Sequence, residues 1–219
     1  MALRNPACAI IFTVYLAAGA AWADDNTVQL DQVVVTDTGA PTPLQILPGN
    51  TARVDAQTLS LIGETHPAQL FSVVPGGWVT EGSGQESLMA IRSPLFTGAG
   101  ACGAFLLLED GIPIQPAGFC NVNAMFWLNT EQARAVEVIR GPGSVLYGSN
   151  ALNGIVNVLT QPARLTPMKS AGLERGSNDY LRAQASIGAW NGSDGARIAV
   201  NATHDGGFRA ASAYDQQKF

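Results

Sequence analysis

Charge is scarce in this chain. Asp, Glu, Lys and Arg make up 13% of its 219 residues, about half the usual quarter of a soluble domain. Basic residues are the scarcer kind: 12 Lys and Arg face 17 Asp and Glu, for a net charge of −5 and an isoelectric point near 4.9. That balance offers no electrostatic footprint for nucleic acid. There are three cysteines and two histidines, His66 and His204, which stand isolated, so no ligand cluster for a metal is legible. No nucleophile and base share a catalytic pattern, and no cofactor is expected. After the first two dozen residues no apolar run approaches the roughly 20 residues of a membrane helix. What the chain does have is apolar content, 47%, and 24 glycines, with a mean hydropathy of +0.13. Disordered chains are poorer in apolar residues than this, and the glycine suits turn-rich β structure or an envelope protein.

The amino end reads as an address. Arg4 precedes an apolar stretch from Ala7 to Ala21, and Ala21-Trp22-Ala23 stands ahead of Asp24 and Asp25. A basic start, a short apolar stretch and a small-x-small site describe a secretory signal peptide. An anchor would need a longer run. Residues 1–23 are expected to be cleaved after Ala23, taking Cys8 with them.

Beyond the leader the chain divides into four stretches. Residues 24–43 hold one β-branched run followed by prolines 41 and 43, which break helices and extend their neighbours. Residues 44–160 mix helix and strand patterns in one compact domain. Residues 161–167 are a proline-flanked linker, and residues 168–219 alternate short strands with Gly, Asn and Asp turns. Within 31–37, DQVVVTD, three valines favour extended backbone. Such a segment is either the first strand of the following domain or an exposed strand whose peptide groups pair with a partner's sheet edge.

The 44–160 stretch predicts a strand and turn over Arg53–Leu59 and a helix capped by Thr65 that runs to about Val73 and stops at Pro75-Gly76-Gly77. Short strands follow at Trp78–Thr80 and Ser87–Arg92. The apolar strand ending at Glu109 turns at Asp110-Gly111, a two-residue hairpin signal, and Pro113 puts the return arm at a sheet edge. Thr130 caps a short helix whose Glu131 complements the dipole. Then come a strand at Val136–Arg140, a helical turn at Ser144–Tyr147 and a strand at Gly154–Thr160.

One run carries a specific resemblance. Residues 136–160, VEVIRGPGSVLYGSNALNGIVNVLT, resemble nearly residue for residue a motif of TonB-dependent outer-membrane receptors. VPGGWV at 74–79, MAIR at 89–92 and LEDGIPI at 108–114 fall in that family's order, and residues 31–37 resemble its TonB box. The likeness spans about 31–160. It departs at Ser93-Pro94, where the family has Gly after Ile-Arg, and at Gln161, where it has Lys.

The resemblance implies an α+β plug domain, a mixed four-stranded sheet with short helices, followed by the start of a transmembrane antiparallel β-barrel of 22 strands. It implies TonB as partner, pairing as an added strand with Asp31, Gln32, Val33, Val34, Val35 and Thr36. It implies a Gram-negative outer membrane, with barrel lipid outside and the plug facing the periplasm. It makes Arg92 and Arg140 partners of barrel-wall glutamates, where an unrelated reading makes them solvated strand-end arginines. The ligand is a scarce nutrient, a ferric siderophore or similar chelate. Phe96, Phe119, Met125, Phe126 and Trp127 are candidate contacts, because exposed aromatic side chains form ligand platforms; core positions are the other reading.

In 168–219, Leu181, Ala183, Ala185, Ile187 and Ala189 alternate with polar or small residues, and Ile198, Val200 and Ala202 do the same after a turn at 191–195. A lipid-facing barrel strand and a soluble hairpin with one buried face share that pattern; the plug upstream favours the barrel. Each membrane strand takes about 9–11 residues. The 52 residues after Pro167 then supply about three strands, and the chain is expected to be a piece of a longer receptor. A free-standing plug acting as a periplasmic binding or signalling module is the alternative; a secreted enzyme has no residues to support it.

Cys102 and Cys120 flank the Asp110-Gly111 hairpin. In an oxidising periplasm they favour a disulfide, worth roughly 3 kcal/mol in the chain-entropy model, over two free thiols. Residues 98–103, GAGACG, match a dinucleotide fingerprint in letters alone, because no strand precedes them and no helix opens after them. Glu109 and Asp110 are adjacent in a hairpin, which explains them better than a carboxylate pair would.

Overall fold

The computed structural model describes residues 33–34, 36–43, 50–93, 105–115, 123–148, 150–165 and 169–219. The expected leader and its cleavage site, Asp31, Gln32, Val35, Phe96, Phe119, Cys102 with Cys120, and the GAGACG run lie outside these residues. No helix among the described residues is long and apolar enough to cross a membrane.

Val33–Val34 (β1) pairs antiparallel with Thr42–Pro43 (β2) in a two-stranded ribbon of its own. Thr51–Asp55 (β3) opens the domain, and its last residue ends the strand by starting a helix. The Asp55 side chain accepts the Thr58 amide at 2.8 Å, a cap that turns Ala56–Ile62 into α1. Sequence reading had kept this stretch extended as far as Leu59; the aspartate cap decides otherwise. Pro67–Phe71 (α2) follows, and its cap is His66 rather than Thr65. The imidazole Nδ1 accepts from Ala68 N at 3.1 Å, and Gln69 closes the reciprocal half of a capping box. Pro67 takes the first helical position, where its missing N–H is harmless. Gly77–Val79 (β4) and Met89–Ile91 (β5) form a short antiparallel pair.

Phe105–Glu109 (β6) and Ile112–Pro113 (β7) form the hairpin at Asp110-Gly111, whose φ values of 48° and 81° are the two positive angles a type I′ turn requires. Ala133–Arg140 (β8) follows two 3₁₀ turns, Ala124–Trp127 and Thr130–Gln132; the second stands where a capped α-helix was expected, and Asn129, not Thr130, precedes it. Ser144–Tyr147 (α3) leads to Gly154–Thr160 (β9). The sheet order is β3-β8-β9-β6-β7, with β6 and β9 parallel and the other pairs antiparallel. It is a mixed sheet of four principal strands with a two-residue return arm at the edge.

Strand alternation gives the sheet two unlike faces. One carries Val54, Val136, Val138, Val156 and Val158 against Leu70, Phe71 and Val74 of the α2 region. The other carries a smaller cluster of Leu106, Leu108, Ile139 and Ile155, with Tyr147 of α3 against it, and beside it a polar row to which the site belongs.

Lys169–Arg175 (β10), Leu181–Trp190 (β11), Gly195–Asp205 (β12) and Tyr214–Lys218 (β13) form a four-stranded antiparallel meander, one strand more than counting residues had allowed. Its facing is inverted relative to a soluble sheet. Leu181, Ile187, Ile198 and Val200 are 42%, 50%, 66% and 37% exposed, whereas Arg182, Asn201 and Thr203 are 3%, 3% and 7% exposed. The apolar residues point away from the body and the polar ones toward it. In water that arrangement wastes the burial of apolar surface, worth about 25 cal/mol per Å². Against lipid it is the required pattern.

Candidate functional site

Three features of the domain bear on function: the ribbon at its amino end, the arginine loops, and the seam between the domain and the strand wall.

The ribbon is tethered at its base. Thr36 is fully buried. Its amide donates to Glu137 Oε2 at 2.9 Å and its hydroxyl to the same oxygen at 2.5 Å. Asn157 Nδ2 donates to the Thr36 hydroxyl at 2.8 Å, and the Tyr147 hydroxyl donates to the Thr36 carbonyl at 2.8 Å. One residue on, Asp37 accepts from Thr51 Oγ1 at 2.9 Å. Glu137 is itself fully buried and ion-paired with Arg53 at 2.5 Å, which meets the rule that buried charges are paired. Arg53, Glu137 and Asn157 stand opposite one another on β3, β8 and β9, so pairing register alone lines them up across the sheet. The expected exposed and unpaired strand is therefore corrected in two respects. Val33 and Val34 pair with β2, and Thr36 belongs to the body. The valines take no place in the domain's main sheet.

Arg140 ends β8, and its guanidinium donates to the carbonyls of Asn50 at 3.0 Å, Pro75 at 2.9 Å and Thr51 at 3.3 Å. Burial, and then the nearby Arg92 cation, push its pKa below the usual arginine range. Arg92 is exposed and holds a positive φ of 50°, with its amide bonded to the Gly76 carbonyl at 2.9 Å. Two cations thus share one loop cluster, a place where an opposite charge would be attracted.

The seam is polar and extensive. Lys218 of β13 donates to both carboxylate oxygens of Glu131 at 2.7 and 3.0 Å. Gln216 donates to the Phe126 carbonyl at 2.8 Å, Gln132 to the Val200 carbonyl at 2.6 Å, and Gln85 to the Tyr214 hydroxyl at 3.0 Å. Arg182 donates to the Glu64 carbonyl. Burial pushes the Glu64 carboxyl up to about 7, with Glu131 adding to the rise; a Thr130 hydrogen bond and the cations Lys218 and Arg182 oppose it. Glu131, read from sequence as a helix-dipole residue, is here half of a buried ion pair.

The candidate ligand contacts divide. Met125 is 2% exposed inside the main core, so it is a packing residue and is withdrawn as a ligand contact. Trp127 is half-buried against the same core and meets the Phe126 ring edge-on at 5.6 Å. Residues 31–36 announced themselves by three valines. Glu137, Asn157 and Lys218 gave no local signal, because their partners lie 101, 121 and 87 positions away.

A mixed-sheet domain whose polar flank is gripped by the lumenal side of inverted strands defines the class: a stopper seated in a barrel wall. The family model described as TonB-dependent Receptor Plug Domain matches residues 43–155, and the chain belongs to that family. Solved structures similar to it include the siderophore receptor PiuA of Acinetobacter baumannii (TM-score 0.59, 20% identity, 81% of this chain and 23% of that one). The pyoverdine outer membrane receptor FpvA of Pseudomonas aeruginosa PAO1, bound to pyoverdine, is another (0.60, 18%, 79% and 24%). A third is the ferric-catecholate import receptor Fiu of E. coli K12 (0.54, 20%, 74% and 22%). At these identities they establish the fold. The chain spans less than a quarter of the length of each.

Proposed function

We propose that this chain is the amino-terminal part of a receptor for energised uptake of a metal chelate, a ferric siderophore or close analogue, across the outer membrane of a Gram-negative bacterium. A signal peptide over residues 1–23 directs export. The plug closes the barrel, and residues 31–36 are the strand lent to TonB. The observation that carries this reading is the inverted meander: four strands with apolar faces outward grip the plug through Lys218, Gln216, Arg182 and Arg197. Such a wall is disfavoured in water, which argues against a free-standing periplasmic module. The siderophore class is supported by the printed names of the similar receptors.

Mechanistically, ligand binds above the plug from outside, and the Arg92 and Arg140 loops pair with wall glutamates to hold the plug in register. Ligand binding favours the conformation that exposes residues 31–36, as any signal requires a ligand that binds one state better than another. TonB then adds as a β-strand and pulls. Deleting residues 31–36 in the full receptor is expected to abolish uptake of the ferric chelate while leaving its binding intact. Uptake that persists after the deletion contradicts the assignment.

A further inference from the structure

The feature that the proposed function leaves unexplained is the strength of the attachment one residue past the valines. Thr36 is held through its amide, its hydroxyl and its carbonyl by three different elements: Glu137 on β8, Asn157 on β9 and Tyr147 in α3. An exposed tether needs none of this. Burying a polar row in the middle of a sheet is unfavourable unless every member is satisfied, and Thr36 is what satisfies the Glu137 oxygen that Arg53 does not take.

We propose that Glu137, Asn157 and Tyr147 form a clasp on Thr36, and that the clasp sets how much of the adjacent strand is available to a partner. They are positioning residues, acting through Thr36 rather than on partner or ligand. With the clasp closed, Val33 and Val34 lie in register with Pro43 and Thr42, so their peptide groups are already engaged. Opening releases the ribbon, and the partner's apparent affinity is its intrinsic affinity scaled by the open fraction. The same geometry makes Thr36 the point where a pull on the strand enters the sheet, because Glu137 sits on the central β8 between β3 and β9. The importance of the clasp for transport rests on reading residues 31–36 as the strand lent to TonB; its existence as a restraint does not.

The test needs no partner. In the full receptor carrying this chain, Val34→Cys is labelled with a maleimide in the absence of ligand, and the signal of the parent with its native cysteines is subtracted. Thr36→Val keeps the branched shape and removes the hydroxyl, which bonds both Glu137 and Asn157; labelling is expected to accelerate about tenfold, since two hydrogen bonds are lost, one of them to a charge. Thr36→Ser restores the hydroxyl and is expected to label at the parent rate. Thr36→Val labelling at the parent rate, or Thr36→Ser labelling as fast as Thr36→Val, overturns the clasp. If Thr36→Val fails to reach the membrane, Tyr147→Phe replaces it, with an expected acceleration of about fivefold from one lost bond; no acceleration overturns the clasp. Fast labelling in Thr36→Val together with uptake that survives deletion of 31–36 leaves the clasp standing and removes the TonB reading.

Discussion

Replacing Lys218 with methionine removes the cation that permits Glu131 to be buried. The ammonium lies within 2.7 and 3.0 Å of the two carboxylate oxygens, and both side chains are 8% exposed. Breaking one partner of such a pair costs about 3–5 kcal/mol, because the surviving charge stays dehydrated without compensation. Glu64 lies close enough to feel both groups, so the orphaned carboxylate also faces a second acid. With a urea slope of about 1–3 kcal/mol per molar, the plug's unfolding midpoint in the purified full receptor is expected to fall by roughly 1–3 M. Glu131→Gln combined with Lys218→Met removes both charges and leaves a neutral seam of similar shape; it is expected to recover at least half of the loss. Amide exchange of β8 and β9 in urea reads the plug without interference from the barrel. An unchanged midpoint in Lys218→Met, or a double variant whose loss is the sum of the two single losses, refutes the reasoning that the pair fastens plug to wall.

Other outcomes follow from the same geometry. Glu64 titrates at about 7 in the folded protein against 4.5 for the free side chain. Its raised value means that the neutral form is favoured: its contribution is fully present below about pH 4.5 and lost as pH rises through 7. The plug should therefore be less stable at pH 8 than at pH 5, by at most about 3 kcal/mol, and Glu64→Gln should flatten that slope in the same urea assay. Gly154→Ala places a Cβ 2.9 Å from the Ile139 carbonyl oxygen and 2.9 Å from Ile91 Cδ1, contacts that real side chains do not make; a loss of about 1–3 kcal/mol is expected, read as a lower midpoint. Ile198→Arg on the outward face of β12 is expected to cost about 2–4 kcal/mol if that position lies at mid-bilayer, measured as reduced insertion into lipid vesicles, whereas Ile198→Leu should insert like the parent.

Much of the fold was legible because local chemistry and tertiary structure agree in it. Asp110-Gly111 has one sensible turn available, and Pro113 one sensible place, the edge where β7 is found. The run from Val136 to Thr160 reads as strand, turn, helical turn and strand, and folds so. The misreadings came where a single polar side chain overrode a pattern. Asp55 converts an extended run into a helix start through one bond to Thr58. His66 caps α2 with a ring nitrogen, a role that the adjacent Thr65 suggested for itself. The alternation in 181–205 was clear, but its direction was not: period-two patterning names two faces without saying which is inside. The polar face turns inward because Arg182, Asn201 and Thr203 meet a polar plug flank. The site was less legible still. Three valines marked the strand, yet its fastening to Glu137, Asn157 and Tyr147 is made by pairing register between distant strands, which no local window contains.

The inverted wall decides between a receptor and a soluble module, and its facing can be measured directly. Nitroxide labels placed singly at Ile187, Ile198, Gln184 and Asn201 of the full receptor in lipid vesicles report contact with dissolved oxygen, which concentrates in the bilayer, and with a polar nickel complex, which stays in water. Expected is high oxygen and low nickel contact at 187 and 198, with low contact to both reagents at 184 and 201. Strong nickel contact at 187 and 198 would place the apolar faces in water and contradict a plug seated in a membrane wall.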